Sequence, residues 1–106
     1  MADLSELSCR SCKTVEPLQE GMVKEMLEKI GGWSVEGKKI KKSFEFESFS
    51  GSMIFLNRVA EIAEQEGHHP DISLSYNRVN LELWTHSVGG LSENDFILAA
   101  KIDKIA

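Results

Sequence analysis

The sequence predicts an α+β domain in which a four-stranded antiparallel sheet carries three helices on one face, in the order α-β-β-α-β-β-α. Three observations predict it. Two stretches alternate apolar and polar residues about short turns, which is the period of a half-buried strand. Three others space their apolar residues three and four apart between start and stop signals, as amphipathic helices do. The strands align their apolar residues on one side only, so all three helices must cover that side.

Met1 to Glu16 shows no periodicity and reads as a loose arm, leaving 17–106 as a single domain. Pro17 opens a first helix with Leu18, Met22, Met26, Leu27 and Ile30 on one face, stopped by Gly31-Gly32. Trp33 to Val35 begins a strand that Glu36-Gly37 turns back into Ile40 to Glu47, with Phe44 and Phe46 on one side and Glu45 and Glu47 on the other. A second helix over Ser52 to Glu66 presents Phe55, Leu56, Val59, Ile62 and Ala63, and Gly67 stands where a left-handed cap would end it. Ile72, Leu74 and Tyr76, then Val79, Leu81 and Leu83, form a hairpin about Asn77-Arg78. Ser92-Glu93-Asn94-Asp95 has the form of a capping box, with Leu91 and Phe96 placed as a hydrophobic staple for the last helix.

Composition excludes several classes. A chain of 106 residues buries about 65% of its unfolded surface and has no room for a second domain. The net charge of −5, with acids and bases interspersed, argues against a direct nucleic-acid partner. The one basic run, Lys38, Lys39, Lys41 and Lys42, is interrupted by Ile40 and reads as the solvated side of a strand. No apolar stretch reaches the ~18 residues of a membrane span, so the expectation is a soluble cytoplasmic, nuclear or organellar protein with no membrane partner. Cys9 and Cys12 form a Cys-x-x-Cys that lacks nearby third and fourth ligands, which favours a reduced pair over structural zinc.

All three histidines lie between His68 and His86. Imidazole alone among side chains has an unperturbed pKa that lets it give and take protons near neutrality. If Tyr76 pairs with Val79, the register extended past Pro70 sets His69 opposite His86, close enough for both rings to act on one small ligand. Pro70 disfavours helical angles at His69 and holds it extended.

Glu64, three residues, His68-His69-Pro70, five residues, Tyr76, nine residues, His86, eight residues and Asp95 together resemble the signature of the pterin-4a-carbinolamine dehydratases, also called dimerization cofactors of a liver homeodomain transcription factor. Gly32-Trp33, the Phe44-x-Phe46-x-x-Phe49 run and Arg58-Val59-Ala60 with Ala63-Glu64 are similar to that family too. The resemblance implies a hydro-lyase that removes water from a 4a-hydroxytetrahydropterin, giving the quinonoid dihydropterin, in recycling the cofactor of aromatic amino-acid hydroxylases. It implies no metal and no redox cofactor. His68 and His86 would be the acid/base pair, His69 would orient the pterin, and Asp95 would hold His86 or its neighbour in the useful tautomer. Pro70, Trp84 and Glu64 complete the implied substrate-binding or supporting set. Where animal members often carry Arg before the Asp, this chain has Asn94, so an ion pair there is not implied.

Each residue also has a structural reading. Asp95 serves as a helix cap whether or not it serves catalysis, and Glu64 is a solvated helix carboxylate one turn before His68. Tyr76 shares the apolar face of Leu74 and reads as core, whereas Trp84 shares a face with His86 and suits stacking on a flat ring. Two other functional classes stand beside the enzyme. One is a binding module that stabilises a partner protein's dimer, and the other is a three-histidine zinc site. Exposed sheet edges favour a homodimer or homotetramer, with room for a further protein partner.

Overall fold

The computed structural model describes residues 4–9 and 15–106. It contains β1 (Ser34–Glu36), β2 (Lys39–Glu45), β3 (Asp71–Ser75) and β4 (Arg78–Leu83), with α1 (Glu20–Glu28), α2 (Phe49–Glu66) and α3 (Glu93–Ile105). Short 3-10 turns lie at Leu4–Glu6 and His86–Val88. The sheet is antiparallel throughout, in the order β1-β2-β4-β3, so the predicted fold class and element order are those observed.

Register explains the core. Ile40 pairs with Leu83, Lys42 with Leu81 and Phe44 with Val79, and paired residues share a face, so the inward rows of β2 and β4 coincide. Ile40, Val79, Leu81 and Leu83 have no exposed surface. Phe55 of α2 packs between Phe44 and Phe46, with ring centroids 4.9 Å from each. Side chains of this size each contribute roughly 1.5–3 kcal/mol on burial. α3 is buried on most sides because α2 and the Leu4–Glu6 turn flank it, and Phe96, Ile97, Leu98 and Ile102 are inaccessible.

Four local readings are corrected. α1 starts at Glu20 rather than at Pro17, because the Leu18 N–H is taken by Leu91 O at 2.9 Å, which keeps that segment extended. α2 starts three residues before Ser52, since Ser48 accepts from the Gly51 N–H and caps it. Lys42 is on the inward row between Ile40 and Phe44 and not on the solvated side. Its ammonium escapes burial by reaching Asp103 Oδ1 at 2.8 Å and Gly31 O at 2.6 Å.

The fourth correction is the hairpin. Ser75 pairs with Arg78 and Leu74 with Val79, so the two-residue turn is Tyr76-Asn77, one position earlier than expected. Tyr76 takes a left-handed φ of 51° and is 68% exposed, not core. Asn77 holds the turn in place: its Nδ2 donates to Phe46 O at 3.0 Å, and its own carbonyl accepts the Phe46 N–H at 2.9 Å. The same parity is kept, so the faces survive, but the register moves by two residues. Extended past its last pair, Asp71 with Glu82, it sets His69 opposite Trp84 and not opposite His86.

The segment expected as a loose arm is docked where it is described. Leu4 joins the core, Ser5 O accepts from Lys101 Nζ at 2.9 Å, and the Cys9 N–H donates to Glu66 Oε1 at 2.7 Å. Cys9 is a free thiol, while Cys12 lies outside the described residues. Among the described residues no helix is long and apolar enough to cross a membrane. Leu4→Ala is expected to cost about 1 kcal/mol or more, lowering Tm by roughly 4–8 °C in a thermal melt. An unchanged Tm would show that the segment adds nothing to the fold.

Candidate functional site

The site is built where α2, β4 and α3 converge. Gly67 takes a left-handed φ of 65° and ends α2, and the His68 N–H turns back to Ala63 O at 3.2 Å. The cap delivers His68 straight into the interior, where it is 5% exposed. On α3, Ser92 and Asp95 form the capping box read from the sequence, both wholly buried. Asp95 therefore has a fixed backbone and a side chain that cannot turn to solvent.

His68 Nε2 meets Asp95 Oδ1 at 2.6 Å. The other carboxylate oxygen, Oδ2, accepts from the Ser92 N–H at 2.9 Å and from Thr85 Oγ1 at 2.9 Å. Pairing with a carboxylate oxygen assigns the proton to Nε2, which makes Nδ1 the accepting nitrogen of the neutral ring. Asp95 thus holds His68 and not His86, because its position in the first turn of α3 faces the end of α2.

His69 and His86 are exposed. His69 Nε2 lies 3.2 Å from Glu64 Oε1, and this carboxylate is solvated as the sequence suggests. The His86 ring stacks on Trp84 at 3.9 Å between centroids with a 27° interplanar angle. Trp84 is in turn held by its Nε1–H, which donates to Asp71 Oδ2 at 3.1 Å, and has the Lys39 ammonium 5.6 Å from its ring centroid. Continued alternation past β4 accounts for part of this arrangement, since Thr85 keeps the buried parity of Val79, Leu81 and Leu83 and Trp84 takes the opposite one, after which His86 opens the 3-10 turn.

A cleft of about 380 Å³ is lined by Gly67, His68, His69, Pro70, Asp71, Trp84, His86 and Ser87. It brings together all three histidines with Pro70 and Trp84. Asp95 stands behind His68 and Glu64 behind His69, each one side chain removed from the cleft. Among the described residues no three His, Cys, Asp or Glu side chains converge as a metal centre requires.

Sequence reading missed Thr85, Ser92 and Asp71 as members of this site. Thr85 had a signal: it falls on the inward parity of Val79, Leu81 and Leu83, where a hydroxyl must find a buried partner. Cys9 touches the site from outside, with Sγ 3.6 Å from Asn94 O, and burial together with the neighbouring Glu66 charge pushes its thiol up to about 12.

A family model described as pterin 4 alpha carbinolamine dehydratase matches residues 16–105. A mitochondrial pterin-4-alpha-carbinolamine dehydratase 2 of Arabidopsis thaliana is 44% identical over 112 residues, covering 99% of this chain and 60% of that one. A crystal structure of a transcriptional coactivator/pterin dehydratase from Brucella melitensis superposes with a TM-score of 0.82 at 39% identity, covering 85% of this chain and 98% of its own. A pterin dehydratase-like protein identified as a RuBisCO assembly factor in the alpha-carboxysome superposes with a TM-score of 0.62 at 31% identity, covering 71% and 89%.

Asp95→Ala would strand the donors of His68, Thr85 and Ser92 in the interior. The expected cost is about 3 kcal/mol in urea unfolding, against near zero for a solvated helix carboxylate. A cost below that of an ordinary surface substitution would contradict the network.

Proposed function

We propose that this chain, which belongs to the pterin 4 alpha carbinolamine dehydratase family, removes water from a 4a-hydroxytetrahydropterin by histidine general acid/base catalysis. The reading is carried by the 2.6 Å pair of His68 with buried Asp95 at the wall of a cleft that His69 and His86 also line. In the reaction the C4a–O bond breaks as a proton reaches the leaving hydroxyl. The neighbouring ring nitrogen gives up its proton, and its electrons form the new C=N bond of the quinonoid dihydropterin. Nothing is oxidised or reduced overall, so two proton-transfer groups suffice.

His68 and His86 carry those two transfers. The Asp95 carboxylate stabilises charge on the His68 ring as it takes a proton, the role a buried carboxylate plays beside imidazole in other acid/base sites. His86 is exposed and stacked on Trp84, so its ring is held by a flat surface and open to a ligand. His69 orients the pterin and is itself oriented by Glu64. The product feeds recycling of the tetrahydropterin used by aromatic amino-acid hydroxylases.

The chain also forms a homodimer or homotetramer in this reading. Ile72 on edge strand β3 and Phe49, Met53 and Ile54 on the outside of α2 are left 38–57% exposed, more apolar surface than a lone domain gains from showing. A second reading, a binding module for a partner protein, is favoured by the likeness to the assembly factor.

Histidine variants separate the two readings. His68→Ala and His86→Ala should each lower kcat with little change in KM, whereas His69→Ala should raise KM. If each imidazole can serve one face of the pterin ring, the single variants keep part of the rate and the His68→Ala/His86→Ala pair falls by about 10²-fold or more. A double variant that matches the unmodified chain in a stopped-flow dehydration assay would overturn the acid/base reading in favour of the binding module.

A further inference from the structure

The inward row of β4, Val79, Leu81 and Leu83, ends on a hydroxyl at Thr85, which has no exposed surface. A valine would fill the same volume and complete the apolar row, so the hydroxyl needs its own account. Its hydrogen bonds supply one. Asp95 Oδ2 is an acceptor, so the single Thr85 proton goes to it at 2.9 Å. The 2.7 Å contact between Thr85 Oγ1 and Ser92 Oγ must then be a donation from Ser92. The result is a directed chain that converges on the carboxylate, Ser92 donating to Thr85 and Thr85 to Asp95 Oδ2 while His68 Nε2–H donates to Oδ1, and every hydroxyl proton in it has one place to go.

Helix capping does not require this chain. The capping box is complete with Ser92 and Asp95 alone, through the Ser92 N–H on Oδ2 and the backbone donors of α3 on Ser92 Oγ. Thr85 comes from outside α3, and both reciprocal bonds of the motif close without it. What it adds is a link between the two histidines that the proposed dehydration uses. Its side chain holds the carboxylate that holds His68. Its backbone is clasped to Gly90, with Thr85 N–H to Gly90 O at 2.7 Å and Gly90 N–H to Thr85 O at 3.3 Å, and it immediately precedes His86.

We infer that Thr85 is a positioning residue: its hydroxyl fixes the rotation of the Asp95 carboxylate, and with it the Nε2–H tautomer and ring plane of His68, while its clasped backbone sets His86 at a constant place relative to that ring. The inference rests on the dehydratase reading for its kinetic consequence and on geometry alone for its structural one.

The test compares Thr85→Val, which keeps shape and removes the donor, with Thr85→Ser, which keeps the donor. Two quantities are read, the tautomer pattern of His68 in long-range 1H–15N spectra without substrate, and kcat and KM for 4a-carbinolamine dehydration. Thr85→Val is expected to replace the Nε2–H pattern by a mixture and to lower kcat about tenfold with KM within about twofold, because a misplaced tautomer is felt mainly in the transition state. Thr85→Ser is expected to keep both. If Thr85→Val does not fold, Thr85→Cys, whose thiol is a weak donor, takes its place with the same readouts. A folded Val or Cys variant with the original tautomer pattern, or with undiminished kcat, overturns the inference. Absence of dehydration by the unmodified chain would defeat the dehydratase reading alone, since the tautomer spectrum needs no substrate.

Discussion

Burying an imidazole against a carboxylate is unfavourable unless every remaining polar valence finds a partner, and the 2.6 Å contact between His68 and Asp95 imposes that condition on the rest of the molecule. Three segments must end at one point to satisfy it. α2 has to stop at Gly67 so that His68 turns inward, the chain after β4 has to keep its parity for two residues so that Thr85 arrives, and α3 has to be capped by Ser92 so that the Ser92 N–H meets Oδ2. Each terminus is specified locally, by a left-handed glycine, by strand alternation and by a capping box. The network is therefore where three independent local rules agree.

The same geometry divides the histidines by environment. His68 is enclosed and tied to a carboxylate, which fixes its ring and tautomer. His86 and His69 stand at the surface, each with a modest support, an indole face for one and a glutamate for the other. An enclosed ring suits a group that must present one nitrogen at a constant angle, and exposed rings suit groups that must meet a ligand arriving from solvent. In the proposed reaction this division supplies two proton-transfer groups of different character on one cleft.

Much of this was legible in the sequence because it rests on short-range rules. The Gly67 cap, the Ser92–Asp95 box and the alternation of β4 follow from residues within a few positions of one another. What the sequence misplaced depends on long-range contacts. The hairpin turn moved to Tyr76-Asn77 because Asn77 bonds Phe46, a residue 31 positions away, and that contact outweighs the reluctance of tyrosine to enter the left-handed region. Lys42 was read as solvated because its partner Asp103 lies 61 positions on. Which histidine Asp95 holds was open in the sequence, because the pairing with His68 follows from where α3 meets the end of α2, a meeting that no local pattern encodes. Leu4 gave no periodicity to read, since one anchoring side chain has no period.

The central claim is that this cleft accelerates loss of water from a 4a-hydroxytetrahydropterin. The most direct measurement follows the ultraviolet spectrum of freshly generated 4a-carbinolamine in a stopped-flow instrument, with and without the protein. The account predicts conversion to the quinonoid dihydropterin at a rate proportional to protein concentration and above the spontaneous rate. Decay at the buffer rate at every protein concentration would contradict it.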